Sequence, residues 1–496
     1  MYLHNLIPSS WPDGKLPKDL VLRDISADSR QVEKGSLFIA TKGLRVDGRD
    51  YIESAINAGA VAVLFEATLL SGAQQANITN IKDACPSVPM IAVENLDKKV
   101  GYIASEFFGN PSQSLSVLGL TGTNGKTTCA YLLAQTLQLL GFNSAFIGTI
   151  GWGNVKRLQL STHTTPDAIN LQRQMATLVD EGYTHVCMEV SSHALEQGRV
   201  NGVQFYGAMF TNFSHDHLDF HKTMENYAAA KRLLFSQFDL KFVVTNSDDE
   251  LGRELIDFSN AEFVASYGKS GDVSYEDLVA SQAGIAMAIE SESLDFEVET
   301  LLVGLVNVPN VLLVITTLLV LGVEVSDIQK IMKKLQAAPG RMEMFASSDS
   351  SKKTPVVVVD YAHTPDALER ALLSCREHCT GDLWVVFGCG GDRDHKKRPK
   401  MGAVAEQNAD HVVITADNSR SEKHEDIFSA IQQGMESSAT QIEDRAVAIE
   451  WVINKAGVND WVLVAGKGHE TTQTHNSVVT EFSDRQWVGH CLEVAA

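Results

Sequence analysis

A glycine-rich run, TGTNGKTT at positions 121–128, stands between an apolar stretch and a stretch with a helical pattern. Glycines let the backbone approach phosphate groups closely, and the N–H groups at a helix N-terminus supply donors for negative charge. Lys126 would neutralise the terminal phosphates of a nucleotide, and the Thr127 hydroxyl would help to hold Mg²⁺. The strict G-x-x-x-x-G-K-[ST] pattern requires glycine at position 120, where the chain has Leu120. The context still predicts a phosphate-binding loop, with the residues Gly122, Thr123, Asn124, Gly125, Lys126, Thr127 and Thr128.

Three other residues could do chemistry, and each also has an ordinary structural explanation. Glu189 lies near the end of the apolar stretch 185–190, and ligands of open α/β sheets collect at the carboxyl ends of strands. The same glutamate could instead be a solvated strand end. His217 could bind a metal ion, although a lone histidine is more often structural. Lys231 falls in a helical pattern, where most lysines face solvent. The residues alone leave these alternatives open.

Two further patterns do not indicate sites. GCGGD at 388–392 follows an apolar stretch, but Arg393 stands where a dinucleotide-binding loop needs its third glycine, and no helix begins promptly. The seven cysteines are scattered and odd in number, and Cys375, Cys379 and Cys389 lack the paired spacing of a zinc site. We therefore expect reduced thiols and no bound NAD.

Length and charge restrict the class of protein. A chain of 496 residues is too long for one core and predicts about three domains. A net charge of −21 argues against nucleic-acid binding, so an anionic substrate would need locally basic pockets. The N-terminus lacks the pattern of a signal peptide, and the longest apolar run, 311–323, is too short to span a bilayer. We expect a cytoplasmic protein without membrane insertion, in which this run is a buried helix.

Strand and helix patterns alternate along the chain, which predicts a mostly parallel α/β fold. The segments 108–114 and 337–343 read as a linker and a hinge, and the Ser-rich stretch 347–353 reads as a hairpin loop. The predicted strands are 36–40, 61–65, 115–120, 145–147, 185–190, 208–211, 242–245, 356–359, 384–387, 411–415 and 461–464. The predicted helices are 51–58, 127–140 and 224–235, with two more that end near Ala338.

Further motifs surround the phosphate loop in a characteristic order. They are DSR (28–30), DGR (47–49), HTTPDA (163–168), MEVSSHAL (188–195), DHLDFH (216–221), YAAAK (227–231), PGRME (339–343), DYAHTPDALE (360–369), GCGGDRD (388–394) and GKGHE (466–470). Each one alone is a weak signal. Their order and spacing resemble the Mur ligase family, and within it the members that add a diamino acid.

This resemblance implies a fold and an activity. The fold would be α/β with three domains: a UDP-substrate domain at 1–112, a central P-loop ATPase sheet at 113–338, and a Rossmann-like amino-acid domain at 339–496. The activity would be ATP-dependent ligation of meso-diaminopimelate to the D-glutamyl residue of UDP-N-acetylmuramoyl-L-alanyl-D-glutamate. That reaction runs through an acyl phosphate during peptidoglycan precursor synthesis. The cofactors would be ATP and Mg²⁺, and the protein would be a monomer.

The resemblance also implies roles for particular residues. Lys126, Glu189, His217 and Lys231 would be catalytic, with Lys231 carbamylated by CO₂. The metal ligands would be Thr127, Glu189, His217 and Lys231. The residues that join the phosphate loop around ATP would be Asn307, Asn310, Arg341 and His363. The UDP-substrate residues would be Ser29, Thr164, Thr165, Ser192 and Arg199. The amino-acid residues would be Arg393, Asp417, Asn418, Arg420, Gly466 and Glu470.

Two departures from the family pattern bear on these roles. His215 stands where arginine is usual, and DNSR at 417–420 replaces the DNPR of diaminopimelate-adding members, which could loosen that loop. Three alternatives to this activity remain. They are an L-lysine-adding member, a ligase similar to folylpolyglutamate synthase, and a nucleotide-binding switch without ligase activity. The DSR and DGR motifs and the C-terminal GDRD, DNSR and GKGHE motifs argue against the folylpolyglutamate type.

Overall fold

The computed structural model describes residues 1–7, 17–43, 46–291, 294–347 and 354–493. They form two compact units. One unit contains 1–126, 141–243 and 254–264, and the other contains 127–140, 244–253 and 265–496. Apart from Ser347, the hairpin loop predicted at 347–353 lies outside the described residues.

The N-terminal part of the first unit is a small four-stranded sheet. Its strands pair in the order β1-β2-β3-β4, all parallel. Every residue of β2 and β3 is buried, which explains why both read as continuous apolar runs. The elements are α1 (Leu3–Leu6), β1 (Asp24–Ser26), β2 (Ser36–Ala40), α2 (Ile52–Ala58), β3 (Ala62–Glu66), α3 (Gly72–Ala84), β4 (Met90–Val93) and α4 (Leu96–Phe107).

The middle of the chain continues the alternation of strands and helices. A 3₁₀ turn at Pro111–Ser114 occupies the predicted linker, and its first two residues are buried. The elements are β5 (Ser116–Thr121), α5 (Lys126–Leu139), β6 (Ser144–Gly148), β7 (Gly151–Asn154), β8 (Arg157–Gln159), α6 (Ala168–Asp180), β9 (His185–Glu189), α7 (Ser192–Glu196), β10 (Phe205–Phe210), α8 (Leu218–His221), α9 (Met224–Ser236), β11 (Phe242–Asn246), α10 (Glu250–Phe258) and β12 (Phe263–Tyr267).

The larger sheet of the first unit carries the phosphate loop. Its strands run in the order β10-β5-β9-β6, all parallel, and β7 and β8 add an antiparallel edge beyond β6. In the register of this sheet Leu120 of β5 lies beside Glu189 of β9. Because parallel strands end at the same edge, the loop after β5 and the residues after β9 lie on one side of the sheet.

The N-terminal sheet packs on this larger sheet through helices α4 and α6. Ala168 and Ile169 of α6 belong to the same apolar cluster as Leu96 and Ile103 of α4. A Cβ at Gly101 would lie 2.0 Å from the backbone oxygen of Asn201, so only glycine permits this approach.

The continuous part of the second unit, from residue 265 onward, contains an antiparallel meander followed by two helices. They are β13 (Val273–Ser281), β14 (Gly284–Ser291), β15 (Phe296–Thr300), α11 (Val308–Val320) and α12 (Val325–Met332). Strand β14 pairs with both of its neighbours. The apolar run predicted as a buried helix forms α11, which is buried from Asn310 through Leu318. None of the helices in the described ranges is long and apolar enough to cross a membrane.

The C-terminal part of the second unit is a six-stranded sheet in the order β16-β17-β21-β18-β19-β20. All its pairs are parallel except β16 with β17, and apolar clusters cover both faces. The elements are β16 (Glu343–Phe345), β17 (Val356–Asp360), α13 (Pro365–Arg376), β18 (Leu383–Phe387), α14 (Lys397–Asn408), β19 (His411–Ile414), α15 (His424–Gln432), β20 (Thr440–Gln441), α16 (Arg445–Lys455), β21 (Trp461–Ala465), β22 (Thr472–His475), β23 (Val478–Glu481) and α17 (Asp484–Leu492).

Candidate functional site

The phosphate loop is shaped by its glycines and by its own lysine. Gly122 has a φ of +148°, and a Cβ there would lie 1.9 Å from Oγ1 of Thr211, so another residue would not fit. The Lys126 ammonium donates hydrogen bonds of 2.8 Å to the backbone oxygens of Gly122 and Thr123. The side chain therefore bends back over the loop. Thr127 and Thr128 follow in the first turn of α5, and both are buried.

Neighbouring backbone and side chains fix the loop from the outside. The backbone N–H of Thr123 donates to the Asn212 backbone oxygen at 2.8 Å, and the N–H of Asn124 donates to the Asn212 side chain at 2.9 Å. The Thr123 hydroxyl lies 3.2 Å from the Tyr227 hydroxyl of α9. Such a pre-shaped loop can receive phosphate oxygens without first being ordered.

Lys231 is buried rather than solvated. Its side chain projects from α9 with 1% of its surface exposed, so the usual surface position of a helical lysine does not apply here. Its ammonium donates a 2.7 Å hydrogen bond to the backbone oxygen of Gly122 and lies 4.4 Å from the centre of the Tyr227 ring. The same carbonyl oxygen accepts a hydrogen bond from Lys126. The structure thus brings two of the predicted catalytic lysines to one atom of the phosphate loop.

Glu189 is also buried, which excludes a solvated strand end. Only 1% of the residue is exposed, and its carboxylate accepts hydrogen bonds from Thr149, 2.7 Å from the backbone N–H and 3.3 Å from the hydroxyl. A Cβ at Gly148 would lie 2.2 Å from the Glu189 carboxylate, so a glycine makes room for it. The arrangement holds an anionic oxygen at the end of β9, beside the strand that leads into the phosphate loop.

His217 belongs to a cluster of three histidines. It begins the short helix α8 with a φ of +54°. The His193 ring lies 4.9 Å from the His217 ring and 5.2 Å from the His221 ring, and Tyr227 contacts the cluster 5.9 Å from His217. Burial lowers the pKa of His217, and burial together with the two neighbouring histidines lowers the pKa of His193 to about 4. Neutral imidazoles can act as ligands and hydrogen-bond partners.

His193 and His221 were not predicted as site residues, although both belong to motifs of the family, MEVSSHAL and DHLDFH. His221 is buried and lies between Ser192, 2.9 Å from its Nε2, and Glu196, 2.9 Å from its Nδ1. His215, at the departure from the family pattern, is exposed.

Four of the five predicted UDP-substrate residues lie around the end of β9. The Thr165 hydroxyl donates to the Glu189 backbone oxygen at 2.9 Å, and Arg199 donates to the Thr165 backbone oxygen at 3.0 Å. The Thr164 hydroxyl lies 3.0 Å from the Thr149 hydroxyl, whose proton is donated to the Glu189 carboxylate.

Ser29, the fifth, lies on a 3₁₀ turn at Ser29–Gln31 that the Asp28 carboxylate caps. Across the described ranges no hydrogen bond joins Ser29 to the other four predicted residues.

In the second unit the two predicted adenine-site asparagines contact each other. The side-chain amide of Asn310 donates to the side-chain oxygen of Asn307 at 3.0 Å, and Asn307 donates to the Val303 backbone oxygen at 2.8 Å. The Asn310 side-chain oxygen accepts from the Cys129 thiol of α5 at 3.2 Å. This contact links the asparagine pair to the helix that begins at the phosphate loop.

Arg341 and His363 lie on either side of Tyr361. The Arg341 guanidinium lies 4.6 Å from the centre of the Tyr361 ring. The centre of the His363 ring lies 4.7 Å from the same point. Burial raises the pKa of the nearby Asp360 carboxyl, while the positive charge of Arg341 acts in the opposite direction. Burial lowers the pKa of His363. Tyr361 therefore contacts both of the residues predicted to bind ATP.

The predicted amino-acid residues form a connected network at the carboxyl ends of the C-terminal strands. Asn418 donates to the Glu470 carboxylate at 2.8 Å and accepts from the Thr474 backbone N–H at 3.0 Å. Arg420 donates through Nη1 to the backbone oxygens of Gly391, at 2.8 Å, and Asn418, at 3.2 Å. The structure thus brings Asn418, Arg420 and Glu470 together.

The other three predicted amino-acid residues differ in their positions. A Cβ at Gly466, which has a φ of +116°, would lie 2.8 Å from the carboxylate of the buried Asp417. Both residues are therefore part of the same site. Arg393 is exposed on the loop after β18.

Two charged pairs that the sequence analysis missed support this region. Arg398 forms two 2.9 Å hydrogen bonds with Glu422 and donates to the Gly390 backbone oxygen, and this pairing lowers the pKa of Glu422 to about 2. Arg445 forms two 2.7 Å hydrogen bonds with Asp484, and neither side chain is exposed. Arg445 also donates to the Ala465 backbone oxygen at 2.9 Å, directly before Gly466.

The residues available for a metal ion are those of a nucleotide site rather than a protein cage. Within the described ranges, no group of three or more His, Cys, Asp and Glu side chains could hold a metal ion. Mg²⁺ commonly takes one or two carboxylates together with phosphate oxygens and water. The buried Glu189 carboxylate fits that requirement.

Comparison with known proteins agrees with this geometry. Residues 22–108 match the Mur ligase family catalytic domain, residues 120–318 match the Mur ligase middle domain, and residues 340–468 match the Mur ligase glutamate ligase domain. A UDP-N-acetylmuramoyl-L-alanyl-D-glutamate–2,6-diaminopimelate ligase from Coxiella burnetii is 43% identical over 97% of this chain and 98% of its own length.

Two solved structures are also similar to the chain. One, of a protein with the same name as the Coxiella relative, is 35% identical, with a TM-score of 0.69 and coverage of 95% of each chain. The other, the MurF ligase of Thermotoga maritima in complex with ADP, shares the fold at 19% identity, with a TM-score of 0.61 over 90% of this chain and 95% of that one. Three successive domain matches and a full-length relative lead to one conclusion: the chain belongs to the Mur ligase family.

Proposed function

We propose that the chain is the ATP-dependent ligase that joins meso-diaminopimelate to the D-glutamyl residue of UDP-N-acetylmuramoyl-L-alanyl-D-glutamate. The observation that carries this proposal is the 43% identity, over 97% of the chain, to a ligase of that name. The phosphate loop and the connected network around Arg420 support it, because the reaction needs both a nucleotide site and an amino-acid site. The reaction places the protein in peptidoglycan precursor synthesis, and we propose that it acts in the cytoplasm as a monomer.

The chemistry requires a good leaving group on the D-glutamyl carbonyl. A carboxylate oxygen attacks the γ-phosphorus of ATP, ADP leaves, and an acyl phosphate forms. The amine of diaminopimelate then attacks the acyl carbon, the bond from that carbon to the phosphate oxygen breaks, and inorganic phosphate leaves. The nitrogen loses a proton and becomes an amide. The protein mainly supplies position and charge for these two steps.

The phosphate loop supplies much of that position. Lys126 lies bent over the loop, where an incoming phosphate can replace the two carbonyl oxygens as its partner. The remaining ATP contacts would come from the loop residues 122–128 and from Asn307, Asn310, Arg341 and His363. The 3.0 Å hydrogen bond between the two asparagines supports their acting together on the adenine.

We assign the metal ligands as Thr127, Glu189, His217 and a carbamylated Lys231. When bound, Mg²⁺ neutralises charge on the phosphate groups. Carbamylation would turn the Lys231 ammonium into an anion and so end the sharing of the Gly122 carbonyl oxygen by two ammonium groups. The burial of Lys231 supports this assignment, because a buried site protects a carbamate from exchange with solvent.

The substrates would occupy two further regions. Ser29, Thr164, Thr165, Ser192 and Arg199 would bind the UDP-sugar peptide. Arg393, Asp417, Asn418, Arg420, Gly466 and Glu470 would bind the diamino acid. The domain bounds 1–112, 113–338 and 339–496 follow from the same assignment. The full-length identity argues against the folylpolyglutamate type and against a switch without ligase activity.

A substrate panel tests the proposal. Phosphate release from ATP would be measured with the UDP-dipeptide, with meso-diaminopimelate or L-lysine, and with each component omitted, and the product would be identified by mass. We expect release only when ATP, the UDP-dipeptide and meso-diaminopimelate are all present. Equal turnover of L-lysine would favour the lysine-adding alternative. Phosphate release that does not depend on the UDP-dipeptide would refute both.

A further inference from the structure

Ser419 lies between two histidines in the loop that carries Arg420. The residue is fully buried, with 0% of its surface exposed. Its hydroxyl oxygen lies 2.6 Å from Nδ1 of His475 and 2.9 Å from Nε2 of His424. This serine stands where diaminopimelate-adding members usually have proline. The Ser419 hydroxyl thus connects the loop to both β22 and α15.

The outer partners of the two histidines fix the direction of every hydrogen bond. The Asn476 side-chain amide lies 2.8 Å from Nε2 of His475 and can only donate, so that nitrogen accepts and Nδ1 carries the proton. The Glu443 carboxylate lies 2.8 Å from Nδ1 of His424 and can only accept, so this Nδ1 also carries a proton. Ser419 then accepts from His475 and donates to His424.

In this assignment each hydrogen bond of the network joins one donor to one acceptor. The direction runs from Asn476 through His475, Ser419 and His424 to Glu443. A doubly protonated His424 would give the Ser419 oxygen two donors, and its own hydroxyl proton would lose the His424 acceptor. The three inner members, His475, Ser419 and His424, each make two of these hydrogen bonds, so none of them can turn without breaking both.

The network ends beside a backbone conformation that needs support. Arg420 has a φ of +51°, in the left-handed region that arginine rarely adopts. Its N–H donates to the Thr474 backbone oxygen at 3.1 Å, and its own oxygen accepts from the Asn476 N–H at 2.6 Å. Ser419 directly precedes Arg420, and His475 lies between the two residues that make these backbone contacts. The 2.6 Å hydrogen bond joins Ser419 to His475.

We propose that Ser419 is a positioning residue for the amino-acid substrate. It acts by holding the Arg420 backbone against strand β22 through His475 and against helix α15 through His424. The identity of that substrate rests on the proposed function. The serine hydroxyl does with hydrogen bonds what a proline ring would do by restricting φ. Arg420 then presents its guanidinium at one fixed angle, and a small misplacement there weakens substrate binding.

The kinetic test uses Ser419→Ala, His475→Ala and the double variant. In each we expect the KM for meso-diaminopimelate to rise roughly 10-fold, the upper end of the effect expected from one lost, partly buried hydrogen bond. We expect kcat and the KM values for ATP and the UDP-dipeptide to change by less than about 2-fold. The double variant should resemble the single variants, because both break the same link. Ser374→Ala, which also removes a buried hydroxyl from the C-terminal part of the chain, is the matched control and should resemble the wild type.

A second measurement reads the network directly. In protein with ¹⁵N-labelled histidine, NMR should show His475 and His424 as neutral rings protonated at Nδ1, and Ser419→Ala should change both signals. Rings protonated at Nε2 in the wild type would overturn the proposal, whatever the kinetics show.

The kinetic outcomes separate the two proposals. An active wild type with an unchanged KM for meso-diaminopimelate in Ser419→Ala, an equal rise in all three KM values, or additive effects in the double variant would overturn the positioning role alone. A wild type that does not ligate meso-diaminopimelate would overturn the proposed function, and this role with it.

Discussion

Replacing Arg420 by alanine is expected to remove most of the preference for meso-diaminopimelate over L-lysine. The two amino acids differ at the far end of the side chain, where diaminopimelate carries an additional carboxylate. In the structure Arg420 is half-buried, and its Nη1 is committed to the backbone oxygens of Gly391 and Asn418. Among the described residues, its Nε and Nη2 make no hydrogen bond. These two donors are parallel and match the two oxygens of a carboxylate.

The expected size of the effect follows from that geometry. A hydrogen bond to a charged group contributes about 1.5–3 kcal/mol, and a half-buried pair loses part of this to desolvation. Lysine would leave the guanidinium without its partner, a penalty of roughly 2–5 kcal/mol. At about 1.36 kcal/mol for each factor of ten, this corresponds to roughly 30-fold to several thousand-fold discrimination.

The assay compares kcat/KM for the two amino acids in the wild type and in Arg420→Ala, Arg420→Lys and Arg376→Ala. Arg420→Lys keeps the charge but loses the paired donors, so it should keep only part of the preference. Arg376 forms an ion pair with Asp410 at the surface and serves as the control for loss of an arginine. Equal use of lysine by the wild type, or an unchanged preference in Arg420→Ala, would show that this guanidinium does not select the substrate.

Four further predictions concern the phosphate loop, the buried lysine and the stability of the second unit. Lys126→Ala should lower turnover more than about 100-fold with an unchanged thermal midpoint, and normal turnover would exclude a phosphate-binding role. Lys231→Ala should be nearly inactive, and wild-type protein depleted of CO₂ should regain activity with bicarbonate; an intact-mass spectrum of a fully active enzyme with unmodified Lys231 would refute the carbamate. Asp484→Ala should lower the free energy of unfolding, measured in urea, by about 3–5 kcal/mol, because Arg445 would remain buried without its partner. Asp327→Ala, which removes an exposed ion pair, should lower it by less than about 1 kcal/mol. Burial and nearby cations lower the pKa of His469 to about 4. Between pH 6.5 and 4 the unfolded chain therefore binds the proton more readily, and the free energy of unfolding should fall with falling pH. Urea unfolding of His469→Gln should show a weaker fall, and an equal dependence of the free energy on pH would exclude this histidine as the cause.

The parts of the fold that the sequence predicted best are the buried parallel strands. Strands β5, β9, β17 and β21 read as continuous apolar runs because both of their faces are covered, and each formed within a few residues of its predicted bounds. The phosphate loop was predictable for a similar reason, since its glycines, lysine and helix start are neighbours in the chain. The hairpin of β22 and β23 was not predicted, because its residues are polar and mostly exposed.

The environments of the site residues could not be predicted, because they depend on contacts between distant parts of the chain. Lys231 is 109 residues from the carbonyl that accepts its hydrogen bond, and the general tendency of helical lysines to face solvent gave no sign of its burial. At position 419 the missing proline suggested a looser loop. The hydrogen-bond partner of the Ser419 hydroxyl, His475, lies 56 residues later in the chain and could not be foreseen. A pattern of residue types carries no information about such partners.

The pairing of Arg445 with Asp484 has a consequence for the order in which the second unit folds. Arg445 donates to the Ala465 backbone oxygen at the end of β21, while Asp484 is the first residue of α17. During folding the guanidinium has no carboxylate partner until Asp484, 39 residues later in the chain, is in place. Without α17 the charge would be buried and uncompensated, so the C-terminal sheet should remain open and expose its apolar faces. Helix α17 therefore acts late in folding, as the element that lets the sheet close.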